Sequence, residues 1–439
     1  SLQKDEQKQS LLERTRLALG MGKGLSSTTA GAPRWMDGQE LTDAMAKNEA
    51  TGKGGRVLLG RFADQLVSYR TEKHVFITAS SRSGKGRDLI IPNLRIQPHS
   101  VFVLDPKGEN CSATAALREA MGHRIAVFDP EGQTSYPSAT FNPLALVAGD
   151  DAVTVADYIA ESLIIGKEED HWTSSARMVI RSMVLHLATV DAGVGRDLVT
   201  LRNLLVGAFD ATLEQMQENQ ALDGLVSRLG AGIAKTNEKE LASIVSTARR
   251  ATAWLDNPKL ARLFEAGEKC ISFDDFRDES KKLSVYVCLS SMVFSTYPQI
   301  CRLLATSAMD IMMRSLTGRR EPVMFILDEL AQLDHLPIVK RAFTLGAGFG
   351  MQIWAIFQSV EQSKKLYPLD ALYGSSGLRL FFKVADPESC GYAASVSSGI
   401  ASAADVRRMN DLDMLTLIDG QNPLLIQRLG GEMPNTFTS

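Results

Sequence analysis

Short, wholly apolar runs recur along this chain, and each ends in a polar or glycine-containing turn followed by helix-like sequence: HVFITAS (74–80), SVFVLDP (100–106) and RIAVFDP (124–130). A strand that is apolar on both faces must be covered on both faces, so strands of this kind interleaved with helices predict a parallel α/β sheet. The rhythm stops near Asp150. It returns at KLSVYVCLS (282–290), PVMFILDEL (322–330), MQIWAIFQS (351–359), LRLFFKV (378–384) and NPLLIQR (422–428), with a helix expected around 298–316. A chain that leaves one sheet and re-enters it is a single α/β domain carrying an insertion. The expected organisation is a polar helical stub and flexible lead-in over 1–55, a first part of the α/β domain over 56–150, an all-α insertion over 151–279, and the second part over 280–439.

The insertion is read from apolar spacing at helical period over 153–165 and 174–190, with no strand-like run. It is also electrically distinct. It holds 14 lysines and arginines against 21 aspartates and glutamates, leaving 34 against 30 in the rest of the chain. An acidic helical block on a mildly basic α/β body suggests a part with its own partner. The whole chain, at −3, carries no advertisement for nucleic acid, so a DNA role must come from local features or assembly. At 44% hydrophobic and 23% charged, its 439 residues suffice for a sizeable core, which excludes wholesale disorder. No run reaches the ~18 apolar residues of a membrane helix, and the opening SLQKDEQKQS has no signal-peptide core. The five cysteines are widely spaced and form no CxxC pair, which points to reduced thiols rather than a disulfide framework or a zinc site.

The sharpest local signal follows the first strand. Ser80, Ser81, Arg82, Ser83, Gly84, Lys85, Gly86 and Arg87 form a small-residue loop with Gly-Lys that runs into a helix. That is the setting of a P-loop, in which backbone N–H groups cradle phosphates and the lysine reaches the β- and γ-phosphates. Two positions depart from GxxxxGK[ST]: Ala79 stands at the first glycine, and Gly86 where the Mg²⁺-binding hydroxyl is expected. The second signal lies some 240 residues downstream, where an apolar strand ends in Asp328-Glu329. An aspartate at a buried strand tip is placed to hold Mg²⁺, and the adjacent glutamate to take a proton from the attacking water. Gln358, ending the next strand, is placed to sense the γ-phosphate. Together these predict an ATP site of the additional-strand, catalytic-glutamate kind. A GTPase reading rests on Asp105-Pro-Lys-Gly108 as DxxG and Asn410-Asp-Leu-Asp413 as a loose NKxD; the latter has no lysine and does not end a strand.

These residues carry a family resemblance. The chain resembles the TraG-type coupling ATPases of type IV secretion and conjugation in GAPRW (31–35), the loop segment SSRSGKGRDLIIPNL, VFVLDPKGEN (101–110), VFDP (127–130), FNPL (141–144), VYVCLS (285–290), FILDEL with its continuation to FQS (325–359) and LRLFFKVADPES (378–389). Matching inside the helical block is weak. The resemblance implies a RecA-like P-loop motor domain interrupted by an all-α domain, binding ATP and Mg²⁺. It further implies a homo-hexameric ring on the cytoplasmic face of the bacterial inner membrane, feeding relaxase-bound single-stranded DNA or secreted effector proteins into the type IV secretion channel. Coupling proteins of this type tolerate glycine where Gly86 stands. Family members normally begin with membrane-spanning helices that this chain lacks, so it reads as the soluble part of a longer protein or as an unanchored variant. The rival readings are a duplex-DNA translocase of the FtsK/HerA kind, and a non-catalytic secretion receptor with a degenerate P-loop.

The insertion is the expected substrate reader, its acidity favouring a basic protein partner over direct phosphate tracking. Arg177 and Arg181, one helical turn apart, are weighed as DNA-phosphate contacts against pairing with neighbouring carboxylates. Arg341, Arg379 and Arg320 are the candidates for an arginine reaching a neighbouring subunit's nucleotide. His171, Trp172 and His335 show no metal-binding spacing.

Overall fold

The computed structural model describes residues 34–432 apart from 168, 191–194, 269 and 315–320. Its centre is an eleven-stranded sheet in the order β2-β1-β11-β10-β9-β3-β8-β7-β4-β6-β5. The strands are β1 (Gly55–Phe62), β2 (Gln65–Thr71), β3 (His74–Thr78), β4 (Val101–Leu104), β5 (Arg124–Phe128), β6 (Leu283–Val287), β7 (Val323–Leu327), β8 (Met351–Phe357), β9 (Ser376–Phe382), β10 (Asp413–Ile418) and β11 (Leu424–Gln427). From β9 to β5 all pairings are parallel, and the four at the other edge are antiparallel. The expected α/β class therefore holds, with an antiparallel extension that the apolar runs did not announce.

The parallel strands are buried residue by residue, and alternate side chains serve two cores. Phe76, Phe102 and Leu104 face one core, shared with the helices of the insertion. Val75, Ile77, Val101 and Val103 face the other, shared with Leu89, Ile90 and Leu94 of the segment after the P-loop and with Cys111 and Ala115. The helices that matter below are α1 (Gly38–Thr51), α2 (Ile91–Ile96), α3 (Glu109–Ala120), α4 (Ala152–Leu163), α5 (His171–Thr189), α6 (Leu198–Gly207), α7 (Phe209–Glu218), α8 (Ala221–Ala234), α9 (Glu238–Ala251), α10 (Gln299–Met313) and α11 (Pro337–Leu345).

Three sequence expectations change. Residues 38–51, read as part of a flexible lead-in, form α1, capped by the Asp37 side chain and anchored by fully buried Leu41; the rest of that lead-in, up to residue 33, lies outside the described residues. β1 and β2 form a hairpin whose register shifts at Leu58/Gly60, where Gly60 has φ +145°; a bulge on a partly exposed pair blurs the alternation that reveals strands. Between β5 and β6 the described residues form helices and turns but no strand, yet this block does not stand apart from the sheet. Its first helix, α4, packs on α10, and both contribute to the core that contains Phe102 and Phe325.

Buried polar side chains stitch the elements around the first strand. Asn93 of α2 bonds both the N–H and C=O of Leu58 at 2.8 Å. Arg118 of α3, with no exposed surface, donates to the carbonyls of Leu94 and Gln97 at 2.7 and 2.9 Å, to His99 O and to Ser284 Oγ at 2.7 Å. These bonds collect the end of α2 and hold it under the sheet. His74, at the head of β3, is equally buried. Its Nε2–H serves the carbonyls of Ala342 and Phe343, and its Nδ1 accepts from Ile353 N–H at 3.1 Å. Only the neutral ring satisfies both sides.

Burial pushes the His74 imidazole down to about 4, against an ordinary value of 6.5, and the carbonyl contacts recover only part of that. Between those values the unfolded chain takes up a proton that the fold refuses. The stabilisation is complete above about pH 6.5 and is lost as pH falls towards 4, by up to about 3 kcal/mol. Urea midpoints measured from pH 7 to pH 4.5 should fall more steeply for the wild type than for His74→Gln, which cannot charge; parallel curves would contradict this.

Candidate nucleotide-binding site

Parallel pairing sets the tips of four strands side by side. Thr78 of β3 is in register with Phe357 of β8, Leu327 of β7 with Ala355 of β8, and Leu104 of β4 with Leu327. The residues that follow, Ala79, Gln358, Asp328 and Asp105, therefore lie along one carboxyl-terminal edge. Ala79 N–H continues the ladder to Phe357 O at 2.9 Å, so Gln358 adjoins the first residue of the P-loop. In open α/β sheets this edge is where ligands bind.

The loop 79–85 turns tightly because Arg82 and Gly84 take positive φ, +60° and +84°. A side chain at Gly84 would meet Asp88 Oδ2 at 2.9 Å, so that position admits glycine alone without displacement. The helix that follows opens with a wide turn, in which Ile91 N–H reaches back five residues to Gly86 O. Such turns are characteristic of functional sites. Lys85 Nζ lies 2.8 Å from Asp328 Oδ1, both side chains largely buried. The hydroxyls of Ser83 and Thr78 are buried without hydrogen-bond partners, which marks the bowl as polar surface awaiting a ligand. Where Gly86 replaces a hydroxyl residue, the nearest atom to a projected Cβ is Asn110 Oδ1 at 3.8 Å, leaving room beside an amide oxygen.

Glu329, directly after Asp328, adopts φ +59°, ψ +39°, a left-handed conformation that costs a non-glycine residue about 1–2 kcal/mol. Its carboxylate accepts from Gln332 Nε2. Gln358 N–H donates to Gln362 Oε1 at 3.0 Å. Ser80 opens the loop, while Ser81 and Arg82 are exposed at its tip. Arg87, expected to line the nucleotide, instead spends its guanidinium on Asp88, with bonds of 2.6 and 3.0 Å.

Three contributors escaped the sequence reading. Asp105, weighed there only as part of a DxxG motif, ends β4 beside Asp328. Burial raises its carboxyl to about 6; the N–H groups of Cys111 (2.8 Å) and Asn110 (3.3 Å) oppose that rise, and the charge of Asp328 adds to it. Its signal was the one that revealed Asp328, an aspartate at a buried strand tip. Asp88 and Arg428 had no local signal. Arg428, far along the chain on the residue after β11, is 3% exposed and bonds Asp88 Oδ2 at 2.6 Å, Ser83 O at 2.8 Å and Asp411 O, with its guanidinium 4.3 Å over the Phe382 ring. It pins the P-loop from behind.

Of the arginines considered for a neighbouring subunit, Arg379 is buried, 3.8 Å over the Tyr373 ring and bonded to Tyr373 O at 2.8 and 3.0 Å. Arg341 bonds the Tyr158 hydroxyl, and Arg320 lies outside the described residues. In the insertion, Arg181 pairs with Asp157 at 2.9 Å, and Arg177 donates to the carbonyls of Ile164 and Gly166. The Asn410–Asp413 stretch is a turn in which Asp413 accepts from Asn410 at 2.9 Å, leading into β10.

A strand–loop–helix P-loop, a parallel sheet and an acidic strand tip one strand away define a RecA-like P-loop fold. Over 92% of its length the chain superposes on the bacterial conjugative coupling protein TrwBdeltaN70, covering 94% of that chain, with a TM-score of 0.68 at 13% identity. A structure of TrwB in complex with ADP and Mg²⁺ matches with a TM-score of 0.67, covering 92% of this chain and 95% of that one, also at 13% identity. Residues 30–386 match the family described as Type IV secretory system Conjugative DNA transfer, and the chain belongs to that family. It is 26% identical over 422 residues to Protein VirD4 of Agrobacterium fabrum, covering 85% of this chain and 61% of that protein. It is 24% identical over 373 residues to the conjugal transfer protein TraG of Escherichia coli, covering 76% and 58%. The chain thus spans about three fifths of the length of these relatives. Among the described residues no helix is long and apolar enough to cross a membrane.

The Arg428–Asp88 pair yields a direct test. Arg428→Met should cost about 3–5 kcal/mol of unfolding free energy, because it removes the buried partner of Asp88 and leaves two carbonyls without their donor. Arg87→Ala should cost under about 1 kcal/mol, since its side chain is 58% exposed and Arg428 still holds Asp88. Chemical denaturation of the two variants measures both.

Proposed function

We propose that this chain is the nucleotide-driven part of a coupling protein, hydrolysing ATP to deliver a substrate to a type IV secretion channel. The observation that carries this reading is the Lys85–Asp328 pair at 2.8 Å, which joins the P-loop to the acidic tip of β7, with Glu329 next in the chain. The residues present suit a phosphate chain with Mg²⁺. They offer a lysine, loop N–H groups, two orphan buried hydroxyls and carboxylates on two adjacent strand tips.

Lys85 and the N–H groups of residues 83–87 bind the phosphates, drawing Lys85 away from Asp328. Asp328 would hold Mg²⁺, with Asp105 a second carboxylate on the adjacent strand tip. When bound, Mg²⁺ neutralises charge that develops on the phosphate oxygens. Glu329 accepts the proton of the attacking water. Gln358, beside the loop on β8, reports the γ-phosphate to the sheet.

The family's description, conjugative DNA transfer, supports DNA as cargo, and on our reading the cargo is relaxase-bound single-stranded DNA, secreted effector proteins, or both. On this reading the motor works as a homo-hexamer at the cytoplasmic face of the inner membrane, in contact with channel components. The helical block 151–279 engages the cargo protein through its acidic surface.

Glu329→Gln should reduce ATP turnover at least about a hundredfold while leaving nucleotide binding intact. Lys85→Ala should weaken binding itself. Wild-type turnover that rises more than linearly with protein concentration would support a ring. Normal turnover by Glu329→Gln would remove Glu329 from its role, and absence of nucleotide binding by the wild type would favour the receptor reading.

A further inference from the structure

Away from the nucleotide site, a cleft of about 910 Å³ opens between the turn after α4 and the helix α11. Among the described residues five cations line it, Lys167, Arg177, Lys340, Arg341 and Lys365, against two carboxylates, Glu169 and Asp334. This net positive recess contrasts with a chain whose overall charge is −3 and whose insertion is acidic. Lys365 is paired with Glu361 at 2.8 Å, and Arg177 and Arg341 are committed to Ile164 O, Gly166 O and the Tyr158 hydroxyl. Among the described residues Lys167 and Lys340 have no ion-pair partner. They reach the cleft from different segments, one on the turn and one on α11. Two uncommitted ammonium groups in one recess, beside guanidinium groups that their own hydrogen bonds hold in place, are what a chain of phosphates requires.

The walls are tied together and to the catalytic edge. Arg302 of α10, 1% exposed, donates to Ser162 O (3.2 Å) and Glu161 O (2.8 Å) at the end of α4, and to Leu333 O (2.5 Å) and His335 O (3.1 Å) ahead of α11. All four of these bonds end on backbone carbonyls, so one side chain fixes the spacing of the two walls. The segment from Glu329 to α11 is short. It carries a second left-handed residue, Asp334 at φ +57°, and its end lines the cleft. A shift of Glu329 therefore reaches Lys340 and Arg341 through fewer than a dozen residues.

We infer that this cleft binds the phosphodiester backbone of a single strand of nucleic acid, held chiefly by Lys167 and Lys340 on walls whose spacing Arg302 sets. An open cleft bounded by the turn after α4 and by α11 suits one strand better than the broad face a duplex needs. The inference rests on the DNA-cargo part of the proposed function, and it places a contact that this function leaves open.

The test uses the full chain, a fluorescein-labelled oligothymidylate, and anisotropy titrations across a salt series. Lys167→Glu/Lys340→Glu should bind at least tenfold more weakly than wild type, with the slope of log K against log salt reduced by about 1.4 for two lost phosphate contacts. Lys167→Arg/Lys340→Arg should keep near-wild-type affinity, and all three proteins should bind a fluorescent ATP analogue equally. If the wild type binds the oligonucleotide and the charge-reversed variant matches it in affinity and salt slope, the cleft assignment is overturned while DNA cargo stands. If the wild type binds no oligonucleotide, DNA cargo and cleft assignment fall together. If polyglutamate displaces the oligonucleotide from the wild type and binds more tightly, the occupant is an acidic polypeptide and the inference is wrong about its class.

Discussion

Backbone pairing among β3, β8, β7 and β4 is the constraint on which the rest of this molecule depends. Each strand is buried along its whole length, β8, β7 and β4 lead directly into Gln358, Asp328 and Asp105, and the parallel register aligns these ends with the start of the P-loop. The side-chain period of a strand is two, so a one-residue slip of β7 would turn Asp328 to the wrong face and exchange the side chains offered to the two cores. The register is therefore specified by burial on both faces, and the chemistry at the edge inherits its precision from the core.

Charged side chains buried in this fold mostly hold backbone. Arg118, Arg302 and Arg428 are almost without exposed surface, and most of their bonds end on carbonyl oxygens at the ends of helices and turns. A guanidinium suits this because it presents five donors in a rigid plane and stays charged even when burial lowers its proton affinity. Each one fixes a segment next to function: Arg118 the helix after the P-loop, Arg428 the loop itself, Arg302 the span between Glu329 and α11. At Arg118 and Arg302 neutral carbonyls disperse the charge without a second buried ion, which keeps the desolvation cost to one group, whereas Arg428 also pairs with buried Asp88.

The distribution of charge separates two kinds of surface. The insertion is acidic overall, yet the recess at its base is basic, because the cations there come from both the turn after α4 and the helix that follows the acidic strand tip. A net charge averaged over 151–279 conceals this, since fields at protein surfaces are local and screened within about 10 Å. A single molecule can thus present an acidic face to a basic protein and a basic recess to a phosphate chain.

The sequence by itself determined the α/β class, eight of the eleven strands, the P-loop and the Asp328-Glu329 tip. These depend on local pattern: apolar runs too short for helices, a glycine-lysine turn after a strand, a carboxylate pair where a buried run stops. It also implied the family, through motifs that each occupy a few consecutive residues. The antiparallel strands β1, β2 and β10 were not legible, since a bulge and partial exposure blur alternation in the first two, and Asp413 and Thr416 interrupt the apolar run of the third. Only the tertiary structure decided that Asp105 belongs beside Asp328, that Arg87 turns to Asp88, and that Arg428, some 340 residues away, braces the P-loop. It also brought Lys167 and Lys340 to one cleft. Those pairings arise when distant segments pack, and the free energy that selects them comes from burying the cores between them, which no local window of sequence records.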